Sequence, residues 1–467
     1  MLSEQDLGLI DNAVRDILST TGIKIEDDIV YEKLLKAGAG EGSGENVVLF
    51  PEGMIDDYLK LAPSGVKIAD RRGNEWLLSS VKYPGSESVF WTGAALLYLD
   101  GQDVRFITQK DLSDFSWLVE NLSEVDGVVG TSTEDTFARH RDFVGLRIMA
   151  VNTRKHLRAL VFTPEGAEAL VEMGKVLAGK DSLKEKPVIS IGFTAHGPLR
   201  WTSLALGVFR RTAGYGIPCT INGEPMAGAS SPVTLAGTIV VGTAEILSGI
   251  ILNQVLEEGR PCFFNLGFAH VMDMRSGFAV TGGPENILLA MAGADLARYY
   301  KLPSVSWMCS DSLFADEQNA LEKAIAASFH LFSDVNVIWG VGQLESEKAL
   351  SPIQAIVDNE IIGMVRKVHG GIDVNEDTIA LDTIKDVGIT GNYLATEHTL
   401  ANFRNAIFES SILVRKQRES KKGNSYMREN AEEYLHMILS KERKSFLSLD
   451  EEKELKKIEG YYREKIE

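Results

Sequence analysis

PVISIGFTAHG (187–197), PCTINGEPMAG (218–228), PCFFNLGFAH (261–270), PSVSWMCSDS (303–312) and VNVIWGVG (335–342) decide the fold. Each is a short apolar run, nearly continuous instead of alternating, so each reads as a strand buried on both faces, the mark of a parallel sheet. Working towards the N-terminus, VDGVVGTST (125–133) and LRALVFT (157–163) repeat the texture and bring the count to seven strands. Patterned helices fill the gaps, among them PEGAEALVEMGKVLA (164–178), TLAGTIVVGTAEILSGIILNQVL (234–256) and NILLAMAGADLARYY (286–300). The strands recur every 30 to 45 residues, the pace of a βα unit. An eighth strand is expected near GNYLA (391–395), and the sequence therefore predicts an α/β fold, a TIM-type (β/α)8 barrel over 110–404. A doubly wound open sheet is the runner-up, disfavoured because no GxGxxG motif opens a first strand–helix turn.

Residues 1–109 are expected to hold two amphipathic helices within 4–36 and a small α+β subdomain, whose strands and hairpins include VVLF (47–50), VKIADRRG (66–73) and SVFWTGAALLYLDG (88–101). The Gly-rich AGAGEGSGEN (37–46) reads as a loop, with no strand leading into it that would make it a phosphate cradle. Residues 405–467, dense in Lys, Arg and Glu, read as a helical C-terminal extension that lies on the surface or reaches a neighbouring subunit, so a homo-oligomer is expected.

The chain of 467 residues carries a formal charge of −18, which opposes nucleic acid or an anionic membrane as partner and tolerates a cationic ligand. Three cysteines, Cys219, Cys262 and Cys309, exclude a disulfide framework. With no signal-peptide pattern and no apolar run of spanning length, a cytoplasmic protein is expected.

In a barrel the chemistry sits at the C-terminal ends of the strands. Those ends offer Thr131, Ser132 and Glu134; Thr163; Phe193, Thr194 and His196; Asn222, Glu224 and Met226; Phe264, Asn265 and Phe268; Cys309, Ser310, Asp311 and Ser312; Trp339 and Gln343. No Lys or Arg is among them, and an acidic, aromatic mouth suits a cation. Aromatic faces attract a quaternary ammonium by about 0.5–2 kcal/mol per well-placed ring. Trp307, Trp339, Phe264 and Phe268 are the candidate rings, although strand alternation lets only some face inward. No metal site is expected. Cys219 and Cys262 begin strands while Cys309 ends one, so they cannot easily converge on zinc, and HExxH and CxxC are absent. No GxSxG elbow supports a hydrolase.

NGEPMAGASSPVTLAGTIVVGTAEILSGIILNQV (222–255), MDMRSG (272–277), GGPENILLAMAGADLARYYKLP (282–303), DEQNALEKA (316–324) and DNEIIGMVRKVHGGIDVNEDTIALDTI (358–384) together resemble the trimethylamine methyltransferase family. The resemblance implies a βα barrel that moves a methyl group from an amine to the cobalt of a partner corrinoid protein, with no permanently bound cofactor of its own. It also marks a departure. The archetype carries pyrrolysine in the barrel and this sequence has none, so it is similar instead to the non-pyrrolysine branch, whose members demethylate quaternary amines such as glycine betaine, proline betaine and carnitine. Glycine betaine is the leading expectation.

A quaternary ammonium leaves as a neutral tertiary amine, so methyl transfer to cobalt(I) needs alignment and exclusion of water, with no obligatory acid or base. On this reading Asp311 and Glu224 lend electrostatic support. Phe193, Phe264, Phe268, Trp307 and Trp339 are the aromatic binding candidates; Asn222, Asn265, His196 and Ser312 are hydrogen-bond donors; Arg275 in MDMRSG is a candidate for a substrate carboxylate. The rival readings are a quaternary-amine binding or sensing protein of the same fold, and a zinc-dependent thiol methyltransferase.

Overall fold

The computed structural model describes residues 1–81, 88–101, 103–415 and 426–466. Eight parallel strands close into a barrel in sequence order: β1 (Val89–Thr92), β2 (Gly127–Val129), β3 (His156–Arg158), β4 (Ile189–Thr194), β5 (Cys219–Asn222), β6 (Cys262–Asn265), β7 (Ser304–Trp307) and β8 (Val337–Val341). A helix follows each: α1 (Gln109–Glu120), α2 (Arg141–Asn152), α3 (Pro164–Ala178), α4 (Ser203–Thr212), α5 (Leu235–Leu256), α6 (Pro284–Tyr299), α7 (Glu317–Phe332) and α8 (Pro352–His369). The seven expected strands are all present. The eighth is not GNYLA (391–395), which forms no strand, but VFWT, which lies at the front of the barrel inside the segment assigned to the N-terminal subdomain. All four of its residues are buried, which four apolar letters among short hairpins did not disclose. Closure joins β8 to β1, with Val337 opposite Val89 and a shift of register before Val341 meets Thr92.

The other end of the barrel is plugged. Val66, Ile68 and Leu78, from the antiparallel pair Gly65–Ala69 and Glu75–Ser79, pack in one buried cluster with Trp91, Val129, Phe263, Val305 and Val337. Ala69 N–H bonds to the Pro187 carbonyl just ahead of β4, which fixes the plug at the N-terminal ends of the strands. The strand pairs that fill the remainder of the N-terminal segment include Ile23–Ile25, which adds Arg200–Trp201 from the β4–α4 loop to its sheet.

Helix α5 has the length and composition to cross a membrane, with mean hydropathy 1.9 over its most apolar window. The sequence reading missed this property. In the structure 72% of that window is buried, and the helix packs against the N-terminal helices Glu4–Asp16 and Glu52–Leu61.

Of the C-terminal extension, residues 416–425 and 467 lie outside the described part. Tyr426–Leu439 and Leu449–Lys465 lie on the barrel of their own chain: Trp117 Nε1–H donates to the Ile438 carbonyl at 3.0 Å, and Lys465 reaches Glu168 at 2.7 Å. Between α8 and this extension, helices Glu376–Ile379, Leu381–Val387 and Glu397–Ala406 form an arm with no buried residue, leaving Ile389 96% and Leu394 87% exposed.

Candidate functional site

At the C-terminal ends of the strands a cavity of about 280 Å³ opens. Its aromatic wall comes from neighbouring strands in register: Trp307 of β7 stands opposite Trp339 of β8, and both point inward by strand alternation. Phe268, in the loop after β6, meets both edge-on, with ring centroids 5.5 Å from Trp307 and 5.0 Å from Trp339. Trp307 is locked by donating its indole N–H to Gln343 Oε1 at 2.6 Å, and the Gln343 amide donates in turn to the Ala94 carbonyl. Gly93 makes room for that lock, since a Cβ there would sit 1.8 Å from Gln343 Cδ.

A polar wall stands across from the rings. Asn265 donates to Asn222 Oδ1 at 2.9 Å, and Asn222 donates to Thr194 Oγ1 at 3.0 Å, leaving Asn222 and Thr194 on the cavity surface. Glu224 and Glu347 add two carboxyl groups to the lining. Burial first, then Glu347 and Glu245, push the Glu224 carboxyl up to about 8. Glu245 of α5, buried behind it and accepting the Leu199 N–H at 2.9 Å, is pushed up to about 7 by burial. Glu347 stays open to solvent at the mouth, yet the walls crowding its carboxyl push it up to about 7.

Glu347 rides on an unusual turn. Glu345, Ser346 and Glu347 have φ of 52°, 50° and 71°, three successive non-glycine residues in the left-handed region, each costing on the order of 1 kcal/mol. The loop after β7 holds that turn in place. Ser346 Oγ donates to Asp311 Oδ1 at 2.6 Å, Ser346 N–H to the Ser310 carbonyl at 2.9 Å, and Glu345 N–H to the Ser312 carbonyl at 2.8 Å. Asp311 also accepts from the Thr281 N–H and hydroxyl and the Gly282 N–H. Asp311 therefore clamps the loop that presents Glu347 and does not line the cavity. Ser312 spends its hydroxyl on Asp316, the N-cap of α7, at 2.7 Å.

Of the residues singled out from sequence, the cavity brings together Phe268, Trp307, Trp339, Asn222, Thr194, Glu224 and Gln343. Asn265 supports it from behind. Phe193 and Phe264 are excluded by alternation: Phe193 stacks on Phe209 of α4 and Phe264 on Tyr300, both outside the barrel, while Phe263 takes the inward place. His196 is exposed on its loop, and Arg275 stands exposed on the rim beside Met274 and Phe278. Thr163 caps α3, Ser132 accepts from Arg141, and Glu134 is exposed.

Two charged lining residues escaped the sequence reading, Glu347 and Arg158. Nothing in the sequence marks Glu347, because the turn that aims it has no motif. Arg158 corrects the expectation that no Lys or Arg stands among the strand ends. LRALVFT was read as a strand ending at Thr163, whereas β3 ends at Arg158, which makes this guanidinium the true strand end.

Fold and cavity thus define a (β/α)8 barrel with an aromatic, acid-rimmed chamber at the C-terminal ends of its strands. A sequence model of the family described as trimethylamine methyltransferase matches residues 1–463. The chain is 29% identical over 423 residues to the trimethylamine methyltransferase MttB of Desulfitobacterium hafniense strain DSM 10664 / DCB-2, covering 90% of this chain and 84% of that protein. It is 31% identical over 425 residues to a glycine betaine methyltransferase of Desulfitobacterium hafniense strain Y51, covering 88% and 86%. The crystal structure of the Methanosarcina barkeri monomethylamine methyltransferase superposes with a TM-score of 0.53 over 97% of this chain and 92% of that one, at 14% identity, a likeness of fold. The chain belongs to the trimethylamine methyltransferase family.

Proposed function

We propose that this chain transfers a methyl group from a quaternary amine, with glycine betaine as the leading substrate, to cob(I)alamin carried by a partner corrinoid protein, releasing the tertiary amine. The observation that carries the reading is the chamber formed by Phe268, Trp307 and Trp339 with Glu224 and Glu347 at its edge, three rings and two ionisable carboxyl groups around a space sized for a small cation. The electron pair of cobalt(I) forms the new bond to carbon, and the pair of the N–CH3 bond returns to nitrogen. No proton moves in this step. The protein contributes alignment and dryness. Once the methyl has left, the nitrogen is neutral, the ring and carboxylate attraction lapses, and product is free to depart.

The corrinoid carrier would approach the open end of the barrel, where Val233, Met274, Phe278 and Leu313 stand exposed on the loops after β5, β6 and β7. Purified protein, a cob(I)alamin-loaded carrier and glycine betaine are expected to yield methylcobalamin, followed by its absorbance, and dimethylglycine. Methyl transfer from no member of a panel of glycine betaine, proline betaine and carnitine overturns the reading, and tight betaine binding without transfer would establish a binding protein in its place.

We place a second copy of the chain over the exposed arm. Helix α7 carries a matching exposed apolar stripe, Leu321, Ile325, Phe329 and Phe332, at helical spacing, and Phe332 meets His369 edge-on at the root of the arm. Each copy thus offers both an apolar arm and an apolar stripe, the requirement for a self-complementary contact. Sedimentation of the full chain is expected to give a species heavier than the 51.2 kDa monomer; a monomer at micromolar concentration overturns this assembly.

A further inference from the structure

We propose that the base of the cavity is an anion subsite, in which Arg158 takes the carboxylate of the substrate and selects a short zwitterion, with carboxylate and quaternary nitrogen borne on one carbon. The proposal rests on the quaternary-amine reading above and narrows it.

Arg158 lines the cavity, is 5% exposed, and has no ion-pair partner among the described residues. Among the described residues it donates from Nη1 to the Ala159 carbonyl at 2.5 Å, and its Nε–H has no acceptor. Other cations withdrawn from solvent away from the cavity have more acceptors each, although Arg71 Nε and Arg260 Nη1 are likewise unpaired among the described residues. Lys155 donates to the carbonyls of Leu122 and Val125, Arg71 to those of Ala150 and Thr153, and Arg260 to the Ile217 carbonyl and the Thr212 hydroxyl. Lys323 has a buried carboxylate. A guanidinium presents five donors, and leaving any of them unpaired away from water is costly unless an acceptor arrives.

The surroundings are shaped for such an acceptor. Gly192 of β4 makes room for the guanidinium itself: a Cβ there would lie 1.9 Å from Arg158 Nη2 and 2.4 Å from Thr220 Oγ1. The Thr220 hydroxyl and the Trp339 indole N–H are likewise buried without a partner among the described residues. Two unsatisfied donors thus stand near the guanidinium, and neither Glu224 nor Glu347 forms an ion pair with it. The chamber is therefore dipolar, with a cation at its base and two carboxyls at its rim.

Trp339 belongs to both halves. The guanidinium carbon lies 5.1 Å from its ring centroid, and Phe268 packs on the same ring at 5.0 Å. A ligand whose ammonium sits among the rings can reach Arg158 with its carboxylate only if the two charges are close together. That orientation sends the carboxylate inward and the N-methyl groups towards the mouth, where a methyl acceptor must stand.

The test compares glycine betaine with tetramethylammonium, which has the cation and no carboxylate, by calorimetry and by quenching of indole fluorescence. Wild-type protein is expected to prefer glycine betaine, and R158M to lower that preference about 100-fold, the scale of stranding one buried charge. Acetate should compete with betaine in the wild type. R158K, which keeps the charge without the fork, should fall between the two, and its unfolding midpoint controls for misfolding. An unchanged preference ratio in R158M and R158K, or a wild type that binds tetramethylammonium as tightly as betaine, overturns the proposal. Because the readout is binding, the result stands apart from the corrinoid assay, whose failure would overturn the methyl-transfer reading alone.

Discussion

Replacing Lys323 with Met is expected to destabilise the protein by about 3–5 kcal/mol, seen as a lower urea midpoint with little change in slope. Lys323 of α7 and Asp358 of α8 are both fully buried and meet at 2.7 Å. The ammonium also donates to the Gly340 carbonyl at 2.6 Å, while Asp358 accepts from Gly342 N–H and the Gln354 amide, each at 2.7 Å. Gly340 and Gly342 have φ of 110° and 84°, and a Cβ at Gly340 would lie 2.3 Å from the Met308 carbonyl oxygen. The ion pair thus pins a bend that only glycine adopts, the bend that carries the chain from Trp339 to Gln343. Removing the ammonium leaves a carboxylate stranded in the interior. Lys323→Met with Asp358→Leu should recover much of the loss, because two apolar side chains strand nothing. A loss below about 1 kcal/mol in the single variant would show that the pair is not what holds the bend.

The second large effect depends on pH. In the folded protein Glu224 holds its proton up to about pH 8, against an ordinary value of 4.5, with burial as the leading cause and Glu347 and Glu245 adding to it. Between those values the folded state carries a proton that the unfolded chain has released, so stability falls as pH rises through the window. The full penalty above pH 8 is on the order of 3–5 kcal/mol for Glu224. Glu224→Gln is expected to flatten the fall and to leave the variant more stable than wild type at pH 8.5, measured by urea unfolding from pH 5 to 9. A quaternary cation in the chamber favours the ionised carboxyl, so betaine binding at pH 7 should expel protons, detected as a buffer-dependent heat, and expel fewer in Glu224→Gln. Parallel pH profiles for the two proteins would mean that Glu224 is ionised throughout.

How much of this was legible depended on how local each signal was. Seven barrel strands could be read because buried parallel strands are apolar throughout and spaced by helices. VFWT (89–92) has the same chemistry but sits among hairpins of similar texture, and its place is set by pairing with β8 at the far end of the chain. Trp307, Trp339 and Phe268 could be named as candidates, yet inward and outward aromatics look alike in sequence: one residue separates Phe263 inside the barrel from Phe264 outside it. Arg158 was hidden because the end of β3 is defined by pairing to its neighbours. Asp311 was recognised as placed near the chemistry, while its task, holding a left-handed turn more than 30 residues downstream, depends on contacts that no spacing rule encodes.

The closure of the barrel between β8 and β1 also fixes an order of events at the ribosome. Val89 finds its partner only when Val337 has emerged, roughly 250 residues later. At translation rates of about 5–20 residues per second, that wait is on the order of 10–50 s. Throughout it VFWT has β2 on one side and nothing on the other, an open strand edge of the kind that invites pairing with another chain. The hairpin that plugs the barrel floor, Gly65–Ala69 with Glu75–Ser79, is made before any of the strands it will support. Nascent chains arrested short of β8 should therefore be protease-sensitive and prone to capture by chaperones, with resistance arising in a single late step.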